Sequence, residues 1–408
     1  MNFHRLAVAP IAADTLRELG ASSGWLIEDR DAIRVGLGAS VLTIDLDEGS
    51  QPEAELAKFR CFGDDGPVDS APIAIGSLPF NMSRPGKLDV SEVLVTQYHD
   101  GRTFVTTIEG SDGLIPLLDA FVPQFQEVQS LRSLQYEPTP EEYAHNVASA
   151  VEVLRQSQIE KVVLARSVKG SVPDPIEPGP LINRLRQREP SCTLYSIPIG
   201  GAQRFIGASP ELLLERKGNV AACNPLAGTI SLPANVPPKD YESWLLGSAK
   251  NLHEHKLLVD EIVAILRTYF ERVTSDEQPS IMTLRTVAHL SSWVKASEAR
   301  GVSPSAITLL RALHPTAAVC GIPREAAHEL LSRLENHDRG HYAGPVGWID
   351  SEGNGQWWVG IRGVVLDGPN FEAWAGAGIV SESDPIAERE ETKDKLSSVL
   401  TSILIDRV

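Results

Sequence analysis

Glu388, Glu391 and Lys395 stand at i, i+3 and i+7 of a segment that opens with Asp384-Pro385. Asp384 is a good helix N-cap, and Pro385 suits the first helical position, where its missing N–H costs nothing. On the predicted helix the three side chains share a narrow arc beside the apolar stripe of Leu396, Val399, Leu400 and Ile403. The preceding 374–380 strand pattern is opened by Gly376 and Gly378, which let backbone come close to another group. Acids beside such a backbone and near a helix N-terminus can hold an anion, or a cation that carries one. Glu391 and Lys395 also read as an ordinary i,i+4 surface pair.

Other chemistry-bearing side chains lie in apolar surroundings. Glu254 is in line with Leu258 and Ile262 at i+4 and i+8, which suggests a metal ligand or a catalytic acid. The local HEHKL is not an HExxH zinc motif, because the second histidine would have to replace Leu257, so His253 and His255 read as structural or supporting. Lys161 shares a strand face with Val163, Ala165 and Ser167, a pattern equally met by a strand-end lysine reaching for water. Glu211 follows Pro210 at the mouth of a Leu-Leu-Leu run. A carboxylate there is costly unless paired or protonated, so a raised pKa is expected. Arg362 lies among Val359, Ile361 and Val364, either buried against a carboxylate or lining a site.

The elements that must position these groups follow from periodicity. Thr139-Pro140-Glu141-Glu142 is a capping box, and Tyr143, Val147, Val151 and Leu154 give its helix one apolar face. Strands are expected at 71–80, 93–97 and 103–108, the last two around an Asp100-Gly101 turn. Further strands are expected at 161–168, 205–216 with an interruption at Pro210, and 287–295 around His289. Residues 239–270 read as one long helix and 385–404 as another, and 341–349 with 356–366 read as a hairpin. Strand–helix alternation lacks a strict βαβ rhythm, so an α+β, largely antiparallel fold is expected.

The chain has 408 residues, enough for a substantial core. Its formal charge of −17 argues against nucleic acid or an anionic membrane surface as partner. No apolar run reaches the roughly 20 residues of a membrane helix. Pro10, Asp14 and Glu18 interrupt any signal-peptide core, so a cytoplasmic location is expected. Cys61, Cys192, Cys223 and Cys320 are far apart and indicate neither a zinc cluster nor a disulfide framework. Nothing demands a partner chain, and a monomer is expected.

Taken together, these stretches resemble the chorismate-utilising enzyme family. The match is carried by KVVLARS at 161–167, SPELLLER at 209–216, NPLAGT at 224–229 and HEHKLLVDEI at 253–262. It continues through HL at 289–290, HPTAAVCGIP at 314–323, YAGPVGW at 342–348, IR at 361–362 and AGAGIV at 375–380, then SDP, ET and KL up to 396. The resemblance implies a single domain over 1–408, with 1–137 divergent and 138–404 the catalytic portion. It implies two facing, mostly antiparallel sheets flanked by helices, with chorismate as substrate and Mg²⁺ as cofactor. Ammonia-using members carry Gln where this chain has Lys161, and aminodeoxychorismate synthases carry Lys where it has Ala227. Lys161 with a small Ala227 is the pattern of the water-using isochorismate and salicylate synthases.

The resemblance also assigns roles. Lys161 would be the base toward water, given a pKa lowered by desolvation, and Glu211 the acid toward the leaving hydroxyl. Glu254 and Glu391 would hold Mg²⁺, with Glu388 at or beside the metal. Ala227, Gly228, Thr229, His289, Ala318, Tyr342, Ile361, Arg362, Gly376, Ala377, Gly378 and Lys395 would contact substrate, Arg362 taking a carboxylate. Asn251 departs from relatives that carry an acid there. Tyr342 is shared with salicylate synthases, whereas Ala318 and Ile361 favour an enzyme that stops at isochorismate.

Overall fold

The computed structural model describes residues 1–47, 49–111, 121–232 and 237–405. Hydrogen bonding runs without a break through twenty strands, while Leu226–Ser231, Val287–Ser291 and Ser280–Thr283 form a separate three-stranded antiparallel sheet. The long strands Ala32–Leu46 and Gly86–Tyr98 belong to both halves of the large network. At 33–37 and 93–97 they extend into Gly24–Glu28 and Thr103–Ile108. Register shifts between Leu37 and Leu42 then bend the ribbon, and beyond them it meets Ala74–Ser77. The fold is α+β with large antiparallel sheets, as expected.

Two further transfers between the halves define the site. Gln203–Ser209 pairs with Thr193–Gly200 and Gly363–Asp367 in one half. Its continuation, Leu212–Lys217, pairs with Val220–Asn224 and Gly355–Val359 in the other. The chain changes halves at Pro210 and Glu211, because proline has no N–H to give a ladder. The neighbouring strand changes halves at 360–362, not within one continuous strand as the 356–366 pattern suggested. Arg362 takes a left-handed φ of 54° in this link, immediately before the second strand begins at Gly363.

Other departures have local causes. The 239–270 pattern divides into Pro238–Gly247 and Ala249–Leu266, because Ser248 caps the second helix by accepting the Asn251 N–H at 3.3 Å. Phe270 starts a strand, Phe270–Ser275. The 287–295 pattern breaks at 292–293, and Val294–Ala299 joins the large network. The C-terminal helix is Pro385–Leu400, four residues shorter than expected. Only Ala74–Ser77 of the 71–80 run and Pro345–Ile349 of the 341–349 run pair as strand. Before Pro140 the chain also forms a strand, Ser133–Glu137, paired with Lys161–Ser171.

The capping box at Thr139 is present, and Pro140–Gln156 buries Tyr143, Val147, Ala150, Val151 and Leu154. The largest apolar cluster joins that face to Val162 and Leu164 from one half and Leu214 and Trp357 from the other. Burying each such side chain contributes on the order of 1.5–3 kcal/mol, so the strands flanking the site are fixed by core on their opposite faces.

Candidate active site

A cavity lies where the halves and the small sheet meet. Strand Lys161–Ser171 sends Lys161 and Val163 into it, and the antiparallel strand Asn370–Ile379 adds Trp374, Ala375, Gly376 and Gly378. Pro210, Glu211, Ile361 and Arg362 enter from the two transfer points, and Leu226, Ala227, Thr229 and His289 from the small sheet. Helix Ala249–Leu266 contributes Glu254, and helix Pro385–Leu400 contributes Glu391 and Lys395. Ala318, Val319, Arg339, Tyr342 and Ala343 complete the lining.

Three residues expected at substrate or metal stand elsewhere. Ala377 alternates with Gly376 and Gly378, so its side chain joins the core on the opposite face. Gly228, at a φ of +69°, faces Asn251, whose carbonyl oxygen an added Cβ would meet at 2.9 Å. Glu388 is turned to Lys250 in the first turn of Ala249–Leu266, 2.7 Å away.

The lysines and acids pair one to one. Lys161 Nζ lies 3.0 Å from Glu254 Oε1, and Lys395 Nζ lies 2.6 Å from Glu391 Oε1. Lys395 also donates to the Gly376 carbonyl at 2.8 Å. Gly378 makes room for the first pair: a Cβ there would sit 2.3 Å from Glu254 Oε1 and 3.0 Å from Lys161 Cε. Burial alone would raise the Glu254 pKa, but Lys161, then Lys250 and Lys395, hold it below the usual range.

Glu211 is buried without an ion pair among the described residues. Burial pushes its pKa up to about 7, against the Leu226 N–H, 3.4 Å away, and the fields of Lys161 and Lys395. Its backbone is fixed across the transfer points. The Val359 N–H donates to the Glu211 carbonyl at 3.1 Å, and Ser209 Oγ donates to the Val359 carbonyl at 2.6 Å.

Arg362 is a buried cation that forms no ion pair with a carboxylate among the described residues. It donates to Ser398 Oγ at 3.1 Å and approaches His289 Nε2 at 3.4 Å. Burial, with Arg362 and Lys395 nearby, pushes the His289 pKa well below its usual value, so the ring is neutral. Arg362 at Nε2 leaves Nδ1 as the N–H, donating to Thr229 Oγ1 at 3.0 Å. Arg339, also on the lining, is by contrast neutralised: Glu335 accepts from it at 2.6 Å and 2.8 Å. Tyr342 and Trp374 stack with ring centroids 5.6 Å apart.

The sequence reading missed Arg339, Trp374 and Lys250. Arg339 lies in the aperiodic stretch 335–344, where the only signal was Glu335 four residues earlier. Lys250 reads as an ordinary helix lysine until Glu388 is placed beside it.

A cavity of largely buried side chains that joins an acid with its pKa pushed up to about 7, a lysine, and an arginine without an ion pair among the described residues suits an enzyme acting on a small carboxylate. The chain belongs to the family described as chorismate binding enzyme, whose model it matches over residues 89–404. It is 32% identical over 348 residues to isochorismate synthase DhbC of Bacillus subtilis, covering 83% of this chain and 82% of that one. It is 32% identical over 332 residues to isochorismate synthase EntC of Escherichia coli K12, covering 81% and 80%. Its fold matches that of MenF, the menaquinone-specific isochorismate synthase of Escherichia coli, with a TM-score of 0.83 at 23% identity, covering 98% of this chain and 94% of that one. No helix among the described residues is long and apolar enough to cross a membrane.

Proposed function

We propose that the protein is an Mg²⁺-dependent isochorismate synthase, an isomerase that adds water at ring C2 of chorismate while the C4 hydroxyl departs. The observation that carries this reading is the placement of Lys161 and Glu211 on one cavity with Arg362, which forms no ion pair among the described residues. Hydroxide is a poor leaving group, and Glu211, protonated up to about pH 7, can donate a proton as the C4–O bond breaks. Lys161 takes the proton of the incoming water. Arg362 receives one substrate carboxylate by charge-assisted hydrogen bonds, its orientation held by Ser398 and His289.

The residues suit a magnesium ion. Glu254 and Glu391 supply hard oxygen ligands on the same cavity. Among the described residues no three His, Cys, Asp or Glu side chains converge as a metal centre, so the protein's share is two carboxylates, a number Mg²⁺ accepts when water and substrate complete its shell. A bound ion would neutralise the ring carboxylate, which the chain's net charge otherwise repels.

The test is chromatographic product analysis with chorismate and Mg²⁺ and without ammonium. Isochorismate as the accumulating product supports the reading. Salicylate with pyruvate, or anthranilate once ammonium is added, would replace it.

A further inference from the structure

The two cavity acids suited to a metal, and Glu388 one helical turn behind them, each have their own lysine: Lys161 on Glu254, Lys395 on Glu391 and Lys250 on Glu388. Each of these carboxylates therefore has an amine within 3.0 Å before any divalent cation arrives. Lys161 and Lys395 line the cavity, where substrate chemistry accounts for them. Lys250 does not line it.

The placement of Lys250 is locally unfavourable. It is the second residue of Ala249–Leu266, in a first turn that holds no acid, where the helix dipole disfavours a cation. Its side chain is 36% exposed, yet its ammonium is directed at Glu388, whose side chain is only 3% exposed. Glu388 lies in the first turn of Pro385–Leu400, one turn before Glu391, so the pair spans the two helices that supply Glu254 and Glu391. The field of Lys250 reaches both of those acids as well as Glu388.

We infer that Lys250 is an internal counter-ion that weakens and thereby sets the divalent-cation affinity of the Glu254–Glu391 pair. This rests on the metal reading above. A divalent ion entering between the helices meets the repulsion of an ammonium fixed on Glu388. Removing that charge exposes the negative field of Glu388 to the ion.

The test is calorimetric titration of chelator-stripped full-length protein with MgCl₂, and in parallel with MnCl₂. Metal-free thermal unfolding of each variant accompanies it. Uptake by wild type that is lost in Glu254→Gln identifies the site. Against that baseline Lys250→Met should lower Kd by about three- to tenfold, and Lys250→Gln should do the same if the Met variant folds poorly. Lys250→Arg should keep the wild-type Kd. In a Glu388→Gln background Lys250→Met should change Kd much less, because the lysine is no longer anchored. An unchanged or weaker Kd in Lys250→Met, with only a lower melting temperature, would make Lys250 a structural bridge and overturn the inference while leaving the metal reading intact. No Glu254-dependent uptake by wild type would overturn the metal reading itself, and this inference with it.

Discussion

Glu211 and Arg362 occupy equivalent places on two neighbouring stretches of chain: each lies where its strand leaves one half of the large sheet network for the other. Backbone bonds across these points, Val359 N–H to Glu211 O and Ala208 N–H to Arg362 O, each 3.1 Å, hold the two residues in a fixed relation. A buried acid and a buried cation on one cavity escape mutual neutralisation because each is anchored by its own backbone.

Glu211→Gln keeps the shape and removes the proton. Turnover from chorismate and from isochorismate should fall by the same factor, roughly 10²–10⁴, because one group serves as acid forward and base in reverse. Assays in both directions in one buffer check this. With the folded pKa raised to about 7 from 4.5, Glu211 stabilises the fold at low pH, and that contribution is lost as pH rises through 7. Glu211→Gln should therefore gain stability relative to wild type between those pH values, by up to about 3 kcal/mol, as read from denaturant unfolding at pH 5 and pH 8.

Lys161→Ala removes the group facing water and leaves Glu254 without its 3.0 Å partner. Hydration should drop by roughly 10²–10⁴-fold. Wild-type isochorismate formation by this variant would transfer the base role to another residue.

Arg362→Met tests a separation of stability from function. A buried, unpaired guanidinium is costly to the fold, so the Met variant should unfold at a temperature no lower than wild type. Its KM for chorismate should rise by about 10²-fold or more, since charge-assisted bonds to a carboxylate are lost. Thermal unfolding and steady-state kinetics on the same preparation decide it.

Gly378→Ala puts a methyl group 2.3 Å from Glu254 Oε1. The Lys161–Glu254 pair must then move, and turnover should fall at least about tenfold, the scale expected when reacting groups shift by an ångström or less. Normal activity would show that the pair's closeness to this strand is incidental.

Activity should disappear in excess EDTA and return with Mg²⁺. Glu254→Gln and Glu391→Gln should each lose most turnover and shift the Mg²⁺ requirement upward. Full activity after chelation would remove the metal from the mechanism.

What the sequence by itself determined was local. Asp384 and Pro385 start a helix through hydrogen bonds within a few residues, and the Asp384 carboxylate does accept from Ile386 and Ala387. Alternation placed Lys161 and Val163 on one face, and Pro210 announced the interruption that sets Glu211 apart from its strand. The family resemblance then assembled these pieces, because motif spacing survives where contacts are invisible. Tertiary structure alone decided the partners that are distant in the chain. Helical spacing offered Glu391 its i,i+4 partner Lys395, but nothing periodic offered Glu388 its partner Lys250, 138 residues away in the chain. Period-two alternation explains Ala377 turning into the core once the strand is known, but not which face the cavity would occupy. Arg362 read as a residue of a continuous strand, and only packing forces its backbone to φ 54° between the two halves. Burial, and with it the Glu211 pKa near 7, depends on atoms brought from distant parts of the chain, which is why a raised value could be expected from sequence but its size could not.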